Sequence, residues 1–299
     1  MSRKITKALI PAAGFGTRFL PQTKAMPKEM MPLVDKPIIQ RVVEELVEAG
    51  IETIVIVTGW NKRSIEDHFD NNLELEEKLE KAGKTDALEM VRKISNLAEF
   101  VYIRQKGPDG NATPILNAKP IMGNEPFLYF FGDDFVDASP SRAKQLIEAF
   151  EKYNSTILGA MQADSDEDYK KYGFAGGSEI EPGVIKVSGI KEKPGSRTDS
   201  PSDTKIISGY VFTSDIFEAL EAVEKDLSEG AELVYIDGIE RLINQGIPVH
   251  ALELKEAVFR DTGNKLEYMK TIVEYGLKHP EINGEFQVYL KDLVENLKN

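Results

Sequence analysis

The sequence predicts an α/β fold, with a mixed, mainly parallel sheet whose strands are joined by helices. Two observations lead there. Short apolar runs, such as the β-branched residues 53–57 and the apolar 127–131, alternate with longer stretches in which apolar residues recur at helical spacing. A strand that returns through a helix lies parallel to its predecessor, and ligands of such sheets collect outside the carboxyl ends of the strands. With 299 residues, the chain is long enough to bury one large core of this kind.

The first strand is Ala8-Leu9-Ile10-Pro11, followed by a glycine-rich turn. Residues 37–49 carry a helical pattern closed by Gly50, a residue type that ends helices because it takes left-handed backbone angles freely. The β-branched run 53–57 reads as a buried strand, a helix is expected from Asn61, and the glutamate-rich stretch 71–92 reads as one or two exposed helices. Residues 100–103 form the next strand. Pro114 suits the first turn of a helix opening after residues 111–113, where its missing N–H costs nothing. The apolar strand 127–131 ends in Gly132-Asp133-Asp134. Beyond it come a strand at 155–161, a hairpin region at 173–187, a strand at 206–213 and helices at 214–224 and 236–244. Strands at 249–252 and around Val258 precede two helical patterns, 264–279 and 281–297. The polar run 193–203 is a loop, too short for an interdomain linker. The predicted organisation is one domain over residues 1–262 with 263–299 as its helical extension.

Residues 7–37, KALIPAAGFGTRFLPQTKAMPKEMMPLVDKP, place a strand, a glycine turn and three spaced cations in front of a helix. Glycines let backbone N–H groups approach an anion, and successive N–H groups in such a turn make an anion-binding concavity. Arg18, Lys24 and Lys28 add charge, so the segment reads as a polyphosphate cradle. The third glycine of the dinucleotide fingerprint and the Gly-Lys-Ser/Thr ending of a P-loop are both missing. Gly-x-Gly alone equally serves a tight turn between strand and helix.

Composition narrows the partners. Lysine and arginine total 37 against 50 aspartates and glutamates, a formal charge of −13, which disfavours sequence-independent nucleic-acid binding. The absence of cysteine excludes disulfides, thiolate catalysis and thiolate zinc sites. The amino terminus lacks the roughly 7–15-residue apolar core of a signal peptide, and no stretch approaches the roughly 18 apolar residues of a membrane span. The expected location is cytoplasmic, with no membrane partner.

His68, His250 and His279 lie in no pattern that suggests a base or a metal ligand. A reaction needing neither fits better, and attack by a phosphate monoester on a nucleotide α-phosphorus is one, because that nucleophile is largely ionised at neutral pH. It requires charge neutralisation and in-line positioning, supplied by cations and a divalent metal. Magnesium takes a few carboxylate oxygens and keeps water and phosphate oxygens, so its ligands are sought at strand ends. Asp133 and Asp261, the latter in FRDTGNKLEY, are the candidates. Asp133 equally suits a turn, and Asp261 a cap for the helix after Gly263. Asp134 flanks the same turn, and Asp137 is expected to open the helix after Pro140.

The opening string resembles, nearly residue for residue, that of bacterial UTP:glucose-1-phosphate uridylyltransferases, and the likeness continues through nearly the whole chain. The resemblance implies a Rossmann-like three-layer nucleotidyltransferase fold, Mg2+ as cofactor, UTP and a sugar 1-phosphate as substrates, and a homodimer or homotetramer. It implies that Arg18 and Lys28 hold the triphosphate, with Lys24 beside them, and that Ala12, Ala13, Gly14, Gly16 and Thr17 contact the nucleotide. Gln105 then reads the pyrimidine edge, Gly110 packs on the base, and Asp133 and Asp261 hold the metal. Tyr172-Gly173 falls near the sugar; in Glu192-Lys193-Pro194 the carboxylate takes sugar hydroxyls and the lysine grips the sugar phosphate. Without the resemblance, Glu192 and Lys193 read as a solvated charge pair.

Three segments depart from that pattern. Where uridylyltransferases read Gly-Leu-Gly-His-Ala, this chain reads Pro108-Asp109-Gly110-Asn111-Ala112, closer to the Pro-Asp-Gly-Leu-Ala of thymidylyltransferases, which makes dTTP the alternative substrate. Ser208-Gly209-Tyr210 stands for Gly-Arg-Tyr, and residues 232–237, ELVYID, stand for Glu-Ile-Gln-Leu-Thr-Asp. These sugar-side changes also admit a catalytically silent homologue that only binds nucleotide sugar. The apolar faces of the last two helices, Leu266, Met269, Ile272, Val273 and Leu277, then Phe286, Tyr289, Leu290, Leu293 and Leu297, suit packing on the domain's own core or contact between copies.

Overall fold

A computed structural model describes residues 4–297. In chain order the elements are β1 (Lys7–Ala12), three single turns of 3-10 helix (Thr17–Phe19, Gln22–Lys24 and Lys28–Met30), β2 (Pro32–Leu33), β3 (Lys36–Pro37) and α1 (Ile38–Glu48). Then follow β4 (Thr53–Thr58), α2 (Arg63–Phe69), α3 (Leu73–Lys81), α4 (Thr85–Ser95), β5 (Glu99–Arg104), α5 (Thr113–Met122) and β6 (Phe127–Tyr129). The remainder is β7 (Phe135–Ala138), α6 (Arg142–Tyr153), β8 (Thr156–Gln162), β9 (Gly173–Glu181), β10 (Val184–Glu192), β11 (Thr204–Phe212), α7 (Asp215–Asp226), α8 (Tyr235–Asn244), β12 (Val249–Glu253), β13 (Ala257–Arg260), α9 (Lys265–Lys278) and α10 (Asn283–Asn296).

Nine strands form one sheet in the order β5-β4-β1-β6-β11-β8-β12-β10-β9. The first four are mutually parallel, β8 and β12 are parallel, and β11 and β10 run against their neighbours, so the sheet is mixed and mainly parallel as predicted. Both faces are buried, which explains the unbroken apolar runs. Leu9, Val55, Phe127 and Tyr129 point into a core beneath α5, α7 and α8. Their immediate neighbours Ile10, Ile54, Leu128 and Phe130 point into the opposite core with α1 and α6. A strand alternates its side chains, so one apolar run fills two cores.

This topology sets all four carboxyl ends of β1, β4, β5 and β6 at one edge, where the glycine turn, Gly59, Gln105 and the Asp133 turn lie. The β9–β10 hairpin supplies the other wall. It folds back so that β9 also pairs with β11, Phe174 opposite Lys205. A two-stranded ribbon, β7 with β13, crosses beside the sheet with Phe135 opposite Arg260.

That ribbon corrects one expectation. Asp137 does not open the helix after Pro140; it lies in β7 opposite Val258, where Arg260 Nε reaches it at 3.1 Å and the Tyr275 hydroxyl donates to it at 2.7 Å. Ser141 caps α6 instead. Asp261 is likewise free of the capping role, because the Asn264 side chain accepts from Leu266 and Glu267 N–H. α9 packs on β2 and β13, its Tyr268 ring meeting Phe19 edge-on at 5.7 Å, and α10 packs on α9. Among the described residues, no helix is long and apolar enough to cross a membrane.

Candidate active site

The chain leaves β1 at the buried Ala12 and turns through exposed Gly14 and Phe15 to Gly16, whose φ of 67° is left-handed. Thr23 Oγ1 donates to Gly16 O at 2.7 Å and holds the turn closed. Thr17 and Arg18 follow in the first 3-10 turn, exposed, and Lys28 opens the third. Lys28 Nζ lies 2.7 Å from Asp133 Oδ2, which joins the cradle to the end of β6. Burial works to lower the Lys28 pKa, but the charges of Asp133 and Glu29 outweigh it and push it up to about 12. Glu29 points the other way, into a fully buried pair with Lys62 at 2.8 Å beneath the turn. Lys24 is exposed and lines neither of the two cavities that flank the cradle.

The first cavity, about 580 Å3, is lined by Ala13, Thr58, Gly59, Arg104, Gln105 and Asp109, with the exposed rings of Phe15 and Trp60 at its rim. The Gln105 backbone N–H is fixed on Thr58 O at 3.0 Å, and Arg104 is braced by Glu66 and by Gly59 O. Gly110 packs against Leu233: φ is 126°, and a Cβ there would lie 2.1 Å from Leu233 O. Bonds from Leu233 N to Asp109 O (2.7 Å) and from Ala112 N to Leu233 O (3.0 Å) lock that contact.

The second cavity, about 870 Å3, is lined by Arg18, Asp134, Tyr172, Gly173, Glu192, Lys193 and Asp261, together with residues of β11, α8 and the start of α9. Gly173 stands opposite Glu192 in the β9–β10 ladder, and a Cβ on it would lie 2.7 Å from Glu192 Oε2, so the carboxylate rests over the glycine. The Lys193 N–H donates to Tyr172 O at 3.1 Å, and its ammonium is 3.7 Å from Glu192 Oε1. The Tyr172 hydroxyl donates to Asp261 Oδ2 at 3.3 Å.

The two aspartates come together at the edge of the second cavity, which Arg18, Asp261 and Gly263 line. A Cβ on Gly263 would sit 3.2 Å from Asp261 Oδ1, 3.5 Å from Asp133 Oδ2 and 3.6 Å from Arg18 Nη1, so two carboxylates and a guanidinium border one small space that only glycine leaves open. Burial raises the Asp261 pKa and the charge of Asp133 adds to it. Burial also pushes Asp134 to about 7; Arg142 opposes the rise, and the Asp133 charge reinforces it.

Sequence reasoning missed the supports. The Thr262 hydroxyl donates to Asp133 O and ties the two aspartate segments together. Ser208, Tyr210 and Tyr235 form the cavity floor, the two tyrosine hydroxyls 2.9 Å apart. Arg142 is fully buried behind that floor on Glu45. The only sequence signal was negative: Ser208 to Tyr210 and residues 232–237 are the segments that depart from the family pattern.

A glycine-rich turn at the end of a parallel strand, a lysine clamped on a strand-end aspartate and a second aspartate across an open space are the parts of an enzyme of phosphate-ester transfer. Comparison with known proteins agrees. The sequence profile of the nucleotidyl transferase family matches residues 7–276, and the chain belongs to that family. UTP–glucose-1-phosphate uridylyltransferases of Staphylococcus epidermidis and Bacillus subtilis are each 44% identical to it, over 97% and 98% of this chain and 99% and 98% of theirs. The UTP-bound UGPase of Acinetobacter baumannii superposes with a TM-score of 0.85 at 34% identity, covering 97% of this chain and 100% of that one. A UDP-glucose pyrophosphorylase complexed with UDP-glucose gives 0.80 at 36% identity, covering 92% and 100%.

Proposed function

We propose that the chain transfers the uridylyl group of UTP to glucose 1-phosphate, giving UDP-glucose and pyrophosphate. The observation that carries this reading is the cluster in which Lys28 pairs with Asp133 and Asp133 faces Asp261 and Arg18 across Gly263, supported by full-length relatives named for that reaction. A phosphate oxygen of glucose 1-phosphate attacks the α-phosphorus as the bond to the bridging oxygen of the β-phosphate breaks, and the electron pair leaves with pyrophosphate. No proton need move, which agrees with a site without histidine.

Each residue has a part in this scheme. Ala12, Ala13, Gly14, Gly16 and Thr17 present backbone to the nucleotide, Gln105 and Gly110 receive the base, and Phe15 and Trp60 offer ring faces at its rim. Arg18 and Lys28 neutralise the departing pyrophosphate, with exposed Lys24 adding long-range attraction. Tyr172, Gly173 and Glu192 receive the sugar, and Lys193 orients its phosphate. Asp133 and Asp261 would hold Mg2+: they border the open space at Gly263, and, among the described residues, no group of three or more acidic or imidazole ligands competes as an all-protein cage. When bound, the ion lowers the repulsion between two anionic substrates. The reading includes a cytoplasmic location and a homodimer or homotetramer, for which the exposed Leu266, Met269, Val288 and Tyr289 of α9 and α10 provide apolar surface.

The test crosses UTP and dTTP with several sugar 1-phosphates and measures pyrophosphate release. Fastest release with UTP and glucose 1-phosphate is expected. A dTTP preference, motivated by Pro108-Asp109-Gly110, would move the reading to thymidylyl transfer, and no release with any pair would leave a binding protein.

A further inference from the structure

Arg18 neutralises the departing pyrophosphate in that scheme, yet nothing tethers its side chain. Among the described residues it makes no hydrogen bond and no salt bridge, although its Nη1 reaches the space at Gly263, 3.6 Å from where a Cβ there would lie. Holding a long arginine stem in one place costs rotamer entropy, so the aim of this guanidinium depends on the single 3-10 turn Thr17–Phe19 that carries it. No residue of that turn is fully buried. The backbone bonds around it close single turns, such as Phe19 N to Gly16 O and Met30 N to Pro27 O, both 3.0 Å, and so do not set where the turns stand in the fold.

The outside hold comes from α9. Next to Arg18, the Phe19 ring meets the Tyr268 ring edge-on, with centroids 5.7 Å apart and planes at 87°. The Tyr268 hydroxyl donates to Pro32 O at 2.9 Å. One side chain therefore touches the phosphate segment near its start and again just past Lys24 and Lys28. The helix is fixed independently of that segment: Asn264 caps it, Arg260 Nη2 meets Glu274 Oε2 at 2.6 Å, and the Tyr275 hydroxyl donates to Asp137 Oδ1 at 2.7 Å. Both strands of the β7–β13 ribbon thus hold α9, and α9 holds the cradle.

We propose that Tyr268 is a positioning residue for Arg18: through Phe19 and Pro32 it sets the phosphate segment against the aspartates, which makes α9 part of the catalytic apparatus. The inference rests on the uridylyl-transfer reading and deepens it, by naming what aims a cation that has no tether of its own.

The experiment runs the reaction backwards, where a pyrophosphate oxygen attacks the α-phosphorus of UDP-glucose, glucose 1-phosphate leaves and UTP forms, because pyrophosphate is the ligand of the cradle. Wild type, Tyr268→Ala, Tyr268→Phe, Phe19→Leu, Arg18→Met and Arg18→Met/Tyr268→Ala are compared, each checked for folding by urea unfolding. Tyr268→Ala is expected to lower kcat/KM for pyrophosphate about 10- to 100-fold, the effect of a misplacement of about 1 Å, with KM for UDP-glucose little changed. Tyr268→Phe keeps the ring, loses only the bond to Pro32 O, and recovers most of the loss. Phe19→Leu breaks the ring contact from the loop side and gives the same loss, which keeps the test decisive even where Tyr268→Ala does not fold. In the Arg18→Met background Tyr268→Ala costs less than about threefold more, since no guanidinium is left to aim. A loss of equal size with and without Arg18 overturns the proposal. So does a folded Tyr268→Ala enzyme that keeps kcat/KM for pyrophosphate within about threefold of wild type, or one whose KM for UDP-glucose rises as far as that for pyrophosphate. Wild-type enzyme that forms no UTP from UDP-glucose and pyrophosphate defeats the uridylyl-transfer reading first, and this inference with it; an active wild type with any of the other adverse results leaves that reading in place.

Discussion

Replacing Lys28 by methionine tests the centre of the site, because one side chain there serves two ends that can be measured apart. The rise of its pKa from 10.5 to about 12 corresponds to roughly 2 kcal/mol in favour of the charged form in the folded state. The side chain is 28% exposed, and solvent screening reduces this to about 1–2 kcal/mol. A raised lysine pKa gives stability that is fully present below 10.5 and lost as pH rises through about 12, so the loss in Lys28→Met should be the same at about pH 7 and about pH 9. Catalysis should lose far more. Removing one preorganised charge from a developing anion costs about 3–4 kcal/mol, a fall in kcat of roughly 100- to 1,000-fold. Urea unfolding of Lys28→Met, Asp133→Asn and the double variant gives the coupling across the 2.7 Å pair, expected near 1 kcal/mol or above, and pyrophosphate release gives the rate. Turnover within about threefold of wild type would refute the role assigned to Lys28, whatever the stability.

Three further outcomes follow from the same geometry. Gly110→Ala must push its loop off Leu233 O and break the two backbone bonds beside it, costing about 3 kcal/mol and raising KM for UTP more than KM for the sugar phosphate; urea unfolding and steady-state kinetics read both. Tyr172→Phe removes the 3.3 Å bond to Asp261, so the Mg2+ needed for half-maximal rate should rise about tenfold while kcat at saturating metal is nearly kept. His250 is packed on Ser155 Oγ at 2.7 Å, and burial, helped by the Lys186 charge, lowers its pKa below 6.5. The unfolded chain then takes the proton first, so the stability from this group is present above 6.5 and lost as pH falls below it; His250→Gln should flatten the drop in urea midpoint between about pH 7 and pH 5.

The elements that sequence reasoning found are those whose cause is local. The cores of the apolar runs, residues 54–57 and 127–129, become strands because a sheet buried on both faces needs nearly every side chain apolar, and that pattern is visible without knowing the neighbours. Residues 135–138, Phe-Val-Asp-Ala, carry no such mark. They become a strand only because residues 257–260 arrive alongside them, and Asp137 is paired by Arg260, which lies 123 positions further along the chain. Arg142 was invisible for the same reason: at the start of an amphipathic helix an arginine normally faces water, and its burial depends on Glu45, 97 positions earlier. Within the site, Arg18, Lys28, Asp133 and Asp261 were legible as charges at turns, and the structure gathers Arg18, Asp133 and Asp261 at Gly263 with Lys28 paired to Asp133. The support that ties the aspartate segments, Thr262, and the buried Arg142 beside Asp134 were not, since a hydrogen bond to a carbonyl or a buried ion pair leaves no spacing in the sequence.

The β7–β13 ribbon changes what counts as one part of this molecule. Asp133-Asp134 lead directly into one of its strands and Asp261 directly leaves the other, so the gap between the carboxylates is gauged by the register of four residue pairs. Everything from the end of β7 to the start of β13, including Glu192, Lys193 and the tyrosine floor, is an excursion whose two ends that ribbon staples together. Loop length within the excursion can therefore change while the spacing of the two aspartates is held by the ladder of that clasp, on which the excursion packs through Ile207 and Tyr172.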